Sequence, residues 1–319
     1  NFAGTKIGQS LKPIFKRGFS YSDCWVDDAR LVTLCALDAY EKGAQVLTRT
    51  ECIELEPHSK EDGWTATLLD HITETKFKVH AHMVVNASGP WVNKVLGLVG
   101  EGLEKYKVRW VKGSHIIVPR VYLGDHAYIF QNEDNRVIFA IPYEKKYTLI
   151  GTTDFEFKGD LEEVRISTRE VDYLCDAANK YFRHAIRPED VEWTYSGVRP
   201  LLDDGEEKVT AVTRDYTLDT EEYQGAPMLN VYGGKITTFR KLSEQASNKV
   251  VEILGRGRKA WTENAPLPGG EGSAANFDTF LKTLRREYSW LPESLAYRYA
   301  RAYGSRAREF LRGFKRLSD

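Results

Sequence analysis

The sequence contains no Gly-x-Gly-x-x-Gly. GRGRKA, from Gly255, lacks the third glycine and follows no strand pattern, so the dinucleotide fingerprint is absent, as it would be from a dinucleotide fold with its fingerprint removed. Cysteine is scarce: Cys24, Cys35, Cys52 and Cys175 are the only four, and no two share a C-x-x-C or metal-type spacing. That argues against a disulfide framework and a zinc site, and reduced, cytosolic thiols are expected. No metal-ligand cluster and no Ser-His-Asp set stands out either. No apolar run approaches a membrane span and no signal peptide is visible, so any membrane contact is expected to be peripheral. Charge of neither sign dominates: 45 Lys+Arg stand against 46 Asp+Glu. Nothing global therefore points to nucleic acid or to a polybasic membrane patch. There is no initiator Met, and the first residues are polar and Gly-containing, which reads as part of a longer polypeptide; the length allows two domains.

What is present is arranged around VYGGKITTFRKL, residues 231–242. A short apolar strand over 228–232 runs into Gly233 and Gly234 and then opens a helix. Two glycines remove the Cβ atoms that keep backbone N–H groups away from a ligand, and the helix start offers unpaired N–H groups at its positive end. Lys235 adds a full charge. The alternative is a strand-to-helix turn whose geometry alone requires glycine. HMVVNASGPWVNKVLG carries a second signal: a hydrophobic strand ends in Ala87, Ser88 and Gly89, and Pro90 sits where a first-turn proline starts a helix. Small residues at that strand edge let a planar or phosphorylated ligand approach, although a tight βα turn packed on the sheet has the same pattern.

Around these blocks the chain alternates in texture. Residues 1–23 show no sustained period. Asp27 reads as the N-cap of a helix with Leu31, Leu34, Cys35 and Ala39 on one stripe and Gly43 as its stop, followed by a strand over 45–49, an α/β step. Strands are expected at 53–56, 64–69 and 76–82. From about residue 108 to 151, short strands at 114–118, 128–131, 136–141 and 147–152, separated by GD, NEDN and EKK turns, predict antiparallel meanders. Ser167 and Glu170 form a capping box ahead of a helix with Val171, Leu174, Cys175 and Ala178 inward. Residues 191–201 are strand-like and carry Arg199 between Val198 and Pro200, an apolar setting in which an arginine has an anionic partner, either a buried Asp or Glu or a substrate phosphate or carboxylate. Arg214, in VTRDYTLD, is a third candidate cation, with a surface ion pair as its alternative. A helix over 238–254 ends at Gly255; residues 255–276 are Gly/Pro-rich and mark a linker. Helical patterns follow at 277–288, 292–303 and 305–317.

YSDCWVDDARL, VVNASGPWV, VKGSHIIVPR, LIGTTD, WTYSGVRPL, TRDYTLD and YGGKITTFRKLSE, in this order, resemble the FAD-dependent glycerol-3-phosphate dehydrogenases of aerobic bacteria. AWTENAPLPGG and LAYRYARAYGS resemble that family's linker and C-terminal helices, so the resemblance covers essentially the whole chain. It implies an α/β plus α+β fold. Residues 1–106, with 228–255 returning to them, would be the remainder of an FAD-binding parallel-sheet domain of the glutathione-reductase/D-amino-acid-oxidase type. Residues 107–227 would be an antiparallel-sheet substrate domain, and 256–319 the linker and the start of a helical domain. Relative to the family, an N-terminal segment with the glycine fingerprint and the first βαβ unit, and the end of the helical domain, are missing.

The resemblance also implies a reaction: sn-glycerol 3-phosphate loses a hydride from C2 to FAD N5 and a proton from its C2 hydroxyl, giving dihydroxyacetone phosphate, and electrons pass on to quinone. Arg199, Arg214 and Lys235 would hold the substrate, two of them on phosphate and Arg199 near the C2 oxygen. His115 is the candidate titrating group, with a satisfied core histidine as its alternative. Ala87, Ser88, Gly89, Gly233, Gly234, Lys235, Thr237 and Thr238 would border the flavin. The family further implies a peripheral protein on the cytoplasmic face of the inner membrane and a homodimer. An oxygen-dependent glycerophosphate oxidase, a flavin amine or amino-acid oxidase and a non-catalytic glycerol-phosphate-binding module are the competing readings. The missing βαβ unit would supply the helix that faces the FAD pyrophosphate, so this chain alone is expected to bind FAD poorly and to turn over nothing. Stoichiometric flavin retained through purification of the isolated chain would falsify that expectation.

Overall fold

The computed structural model describes residues 2, 4–103, 105–203 and 215–318. Among them the helices are α1 (Asp28–Glu41), α2 (Val92–Gly97), α3 (Thr168–Tyr181), α4 (Phe239–Leu254), α5 (Phe277–Glu287), α6 (Glu293–Tyr303) and α7 (Ala307–Phe310). The strands are β1 (Thr50–Pro57), β2 (Trp64–Asp70), β3 (Thr75–Ala81), β4 (Val84–Asn86), β5 (Val108–Pro119), β6 (Tyr128–Gln131), β7 (Val137–Tyr143), β8 (Tyr147–Gly151), β9 (Phe155–Glu156), β10 (Trp193–Leu202), β11 (Tyr216–Tyr223) and β12 (Ala226–Gly233). Two compact units arise. One holds the residues up to Ser22, Cys52–Thr67 and Lys78–Lys235; the other holds Asp23–Glu51, Leu68–Phe77 and the residues from Ile236 onward.

The first unit is built on an antiparallel sheet of order β10-β5-β8-β7-β6, with β9 also paired to β5. Successive side chains of a strand point to opposite faces, and the sequence uses both. Ile116 and Val118 of β5, Ile150 of β8, Ile138 and Ala140 of β7 and Phe130 of β6 point to one face, where Leu174, Cys175, Ala177 and Ala178 of α3 cover them. The capping box sets where α3 begins: Ser167 Oγ accepts from Glu170 N, and Glu170 Oε2 accepts from Ser167 N at 2.9 Å. The aperiodic N-terminal residues are drawn into this core. Leu11 is buried, Tyr128 Oη donates to the Ile7 carbonyl, and Arg183 Nε donates to the Leu11 carbonyl at 2.7 Å.

Behind the sheet lies one carboxylate with five donors. Glu170 is 3% exposed and accepts from Ser114 Oγ (2.8 Å), Thr153 Oγ1 (2.9 Å), Ser167 N and Oγ, and Lys112 Nζ (2.7 Å). Burial by itself raises a carboxyl pKa, but Lys112 and the surrounding donors outweigh it and hold Glu170 at about 2.

A second core in the same unit joins Leu55, Trp64, Val92, Leu96, Met228 and Tyr232, and the Trp64 indole donates to the Pro227 carbonyl at 2.8 Å. β12 is buried from Ala226 through Tyr232, pairs antiparallel with β11 and parallel with β4, and so has a neighbour on either side. Three further strands form the sheet β1-β2-β3. In the second unit, α5, α6 and α7 share a core of Phe280, Leu284, Leu291, Ala296, Ala300, Ala307 and Leu311. Asp27 caps α1 as its sequence predicts, and Gly255 ends α4 at φ 64°.

Two expected elements are corrected. Residues 45–49 are not a strand: they belong to no ladder, although His71 N donates to the Arg49 carbonyl at 3.0 Å, and Val46 and Leu47 stay exposed. Strand propensity without a ladder partner leaves backbone groups unpaired, so the chain runs as a loop into β1. The helix expected over 305–317 shrinks to a 3₁₀ turn at Gly304–Arg306 and the four residues of α7. Ala307 and Leu311 are the buried pair that hold this turn, and Gly313, at φ 90°, ends the helical path.

Glu170 is ionised in the fold well below the pH at which an ordinary carboxyl protonates. Its stabilising effect is therefore complete above about pH 4.5 and is lost as pH falls toward 2, a loss on the order of 3 kcal/mol. Replacement by Gln should remove that part of the acid slope and lower the melting temperature at pH 7, since Lys112 then lacks its partner. An E170Q variant with the parent's acid-unfolding profile would contradict this assignment.

Candidate functional site

The face of the antiparallel sheet that α3 leaves uncovered is read directly from strand register. Tyr195 of β10 lies opposite His115 of β5, Gly197 opposite Gly113, and Arg199 opposite Val111. These three rows share one face, while Ser196 and Ser114 between them point to the other, where their hydroxyls meet at 2.8 Å above Glu170. His115 and Tyr195 stack with centroids 4.7 Å apart at 11°. The row continues through Gly151 to Phe139 and Ile129, so a single line of aromatic and apolar groups crosses five strands.

Arg199 is half-buried and held from one side: Nη1 donates to Asp154 Oδ1 at 2.5 Å and Nη2 to Thr152 Oγ1 at 3.4 Å. The guanidinium lies over Gly113, where a Cβ would come within 2.8 Å of it. Thr153, between its two partners, donates to Glu170 and accepts from Ser114 N, so the buried carboxylate behind the sheet fixes the turn that holds Arg199. Asp154 answers the choice of partner left open by the sequence in favour of an acidic side chain, and the guanidinium's other edge remains available to a second anion.

His115 is pressed against Gly151, where a Cβ would sit 2.1 Å from its ring. Burial first and the Arg199 charge second lower its pKa to about 4. Its Nδ1 is shielded from solvent and has no hydrogen-bond partner among the described residues. Near neutral pH the ring is thus uncharged.

The two small-residue turns leave one sheet edge. Asn86 and Asn230 are register partners in the parallel pair β4–β12, joined by Asn86 Nδ2 donating to Asn230 Oδ1 at 3.0 Å; Gly89 and Gly233 each follow three residues later. Ala87 is exposed, Ser88 Oγ donates to Asn86 Oδ1 at 2.6 Å, and Gly89 has φ 58° with open space where a Cβ would be. Gly233 has φ 71°, and a Cβ there would meet the Asp215 carbonyl at 2.7 Å; Gly234 has φ 98°. Glycine is therefore a backbone requirement at this turn. Lys235 follows and is exposed, and Thr237 and Thr238 lie in the 3₁₀ turn Ile236–Thr238 that leads to α4. Asn230 Nδ2, fully buried, finds no acceptor among the described residues. Positive-φ glycines, an open Cβ position and an unanswered buried amide at the C-terminal edge of parallel strands suit an anionic, planar dinucleotide.

The fold thus brings His115 and Arg199 together on one sheet, and the 87–89 and 233–235 turns together on another. Val108 and Leu202, at one end of the β5–β10 pair, pack in the same core as Met228 and Tyr232 of β12, which connects the two within the first unit. Arg214 lies outside the described residues. Thr152, Asp154, Tyr195, Gly113 and Gly151 were missed as site residues. Their only signal was position, in KGSH, GTTD and WTYSG beside polar or basic groups.

Comparison with known proteins follows this geometry. Residues 5–240 match the family described as FAD dependent oxidoreductase (DAO), and the chain belongs to that family. It is 47% identical over 310 residues to the D-erythritol 1-phosphate dehydrogenase of Brucella abortus, covering 97% of this chain and 61% of that protein. It is 46% identical over 322 residues to the aerobic glycerol-3-phosphate dehydrogenase of Escherichia coli, covering 99% and 63%. The X-ray structure of the glycerol-3-phosphate dehydrogenase from Bacillus halodurans complexed with FAD superposes with a TM-score of 0.77 at 27% identity, over 89% of this chain and 55% of that one. The chain spans about three-fifths of the length of the curated relatives it matches. These likenesses agree with the expected FAD-family fold of parallel and antiparallel sheets.

The depressed His115 pKa has a direct test. Its imidazole resonances should titrate near pH 4 rather than 6.5, and Arg199→Gln should raise the midpoint without restoring it fully, because burial is the larger cause. Since the unfolded chain then binds the proton more readily than the native one, His115 contributes a loss of stability as pH falls from about 6.5 toward 4. A parent midpoint at 6.5 would refute the buried, charge-repelled setting.

Proposed function

We propose that the whole polypeptide to which this chain belongs is an FAD-dependent dehydrogenase that oxidises sn-glycerol 3-phosphate to dihydroxyacetone phosphate. The observation that carries the reading is the Arg199 guanidinium, anchored by Asp154 and Thr152 over Gly113 and facing the uncharged His115. Arg199 steadies the C2 oxygen as its charge grows, and Lys235, with Arg214, takes the phosphate dianion. His115, uncharged near neutral pH, accepts the hydroxyl proton. FAD, when bound, supplies the acceptor for the hydride that C2 gives up. The turns at Ala87, Ser88 and Gly89 and at Gly233, Gly234 and Lys235, with Thr237 and Thr238, are the segments that border it.

The remaining assignments rest on the sequence resemblance rather than on the site. In the proposal residues 107–227 form the substrate domain, electrons pass on to quinone, and a homodimer docks peripherally on the cytoplasmic face of the inner membrane. Among the described residues no helix is long and apolar enough to cross a membrane. A four-carbon polyol phosphate is the second reading, favoured by the 47% identity to a D-erythritol 1-phosphate dehydrogenase.

Anaerobic mixing of sn-glycerol 3-phosphate with the FAD-loaded whole polypeptide should bleach the flavin's visible absorbance. Arg199→Ala and Lys235→Ala should each slow bleaching by roughly a hundredfold, the scale of losing one charged group from a preorganised site. Flavin that stays oxidised with both three- and four-carbon substrates would end the polyol-phosphate assignment.

A further inference from the structure

Three glycines interrupt the uncovered face of the antiparallel sheet, and two of them are explained by protein atoms. Gly113 makes room for the Arg199 guanidinium and Thr152, and Gly151 makes room for the His115 ring. Gly197 has no such neighbour: a Cβ built on it meets nothing within 4 Å. The other reasons for a glycine inside a strand are also absent. β10 pairs with β5 without a break in register from Trp193 to Leu202, so there is no bulge, and Gly197 is not among the residues at positive φ. A mid-strand glycine costs stability relative to a residue with a side chain, and an open Cβ position on this face fits close approach of a ligand.

The position of Gly197 says which part of a ligand comes near. It is flanked on its own face by Tyr195, stacked on His115, and by Arg199, held by Asp154. Four residues of strand place Tyr195 and Arg199 about 13 Å apart, with the glycine midway between the proton acceptor and the cation. Ser196 points to the other face, where it meets Ser114 on the buried Glu170 network, so this stretch of backbone is fixed rather than yielding.

We propose that Gly197, opposite Gly113, is the floor on which the carbon chain of the substrate lies, and that the residue at this position sets the length of polyol phosphate the site accepts. The inference rests on the polyol-phosphate reading above and adds a specificity-determining residue to it. A bare backbone lets the carbons come into van der Waals contact with β10 while the C2 oxygen reaches Arg199 and His115 above them. A methyl group there fills the first layer of that space, and a longer chain has more of its length over the floor, so a four-carbon polyol phosphate suffers more than a three-carbon one.

Binding to the FAD-loaded whole polypeptide, measured by calorimetry with sn-glycerol 3-phosphate, D-erythritol 1-phosphate and inorganic phosphate, tests this. Gly197→Ala should weaken the three-carbon compound by roughly tenfold and the four-carbon compound further, the scale on which one methylene is discriminated in a shaped pocket, while leaving inorganic phosphate unchanged. Gly197→Val should widen the gap. Because the new Cβ meets no protein atom, Gly197→Ala should melt at the parent's temperature or above, which separates lost affinity from lost fold. Parent-like affinity of both variants for both polyol phosphates overturns the floor alone. A parent that binds inorganic phosphate but neither polyol phosphate overturns the polyol-phosphate reading and the floor together.

Discussion

Glu170 is the point on which the antiparallel half of the molecule turns. An ionised carboxylate 3% exposed is tolerable only with its donors in place, and it takes them from three different parts of the chain: Lys112 and Ser114 on β5, Thr153 on the turn after β8, and Ser167 at the start of α3. Losing any one leaves charge or a polar group unanswered in a dry place. The helix, the central strand and the turn are therefore located by one residue.

That constraint is transmitted to the opposite face of the sheet by the alternation of the strands. Ser114 and Ser196 are tied down behind the sheet, so His115, Tyr195 and Gly197 are presented in front. Thr153 is tied down, so Thr152 and Asp154 on either side of it receive Arg199. An arginine placed this way is preorganised: its side-chain freedom is spent before any ligand arrives. Burial, with the same charge added, keeps His115 neutral.

The parallel β4–β12 pair applies a different rule. Two strands end side by side, joined through Asn86 and Asn230, and both turn away through glycines at positive φ. Membership of the FAD dependent oxidoreductase family agrees with a parallel-strand edge of this kind.

Much of this was legible in the linear chain because it is local. The Ser167–Glu170 capping box, the Asp27 N-cap, the Gly255 stop, the limits of β6 and the two glycine turns depend on neighbours within a few residues, and they appear where propensity and period place them. Residue types also marked the candidates, in the flanked Arg199, in Lys235 after two glycines and in His115 on its apolar strand. Tertiary structure decided what those groups meet. The Arg199–Asp154 pair spans 45 residues and the Asn86–Asn230 pair 144, and residues 45–49, with a strand-like composition, stay a loop for want of a ladder partner. A period of two tells which residues of a strand share a face, but not which strand lies beside it or in what register. Those depend on contacts between distant segments, and they set Tyr195 on His115 and leave Gly197 bare between its neighbours.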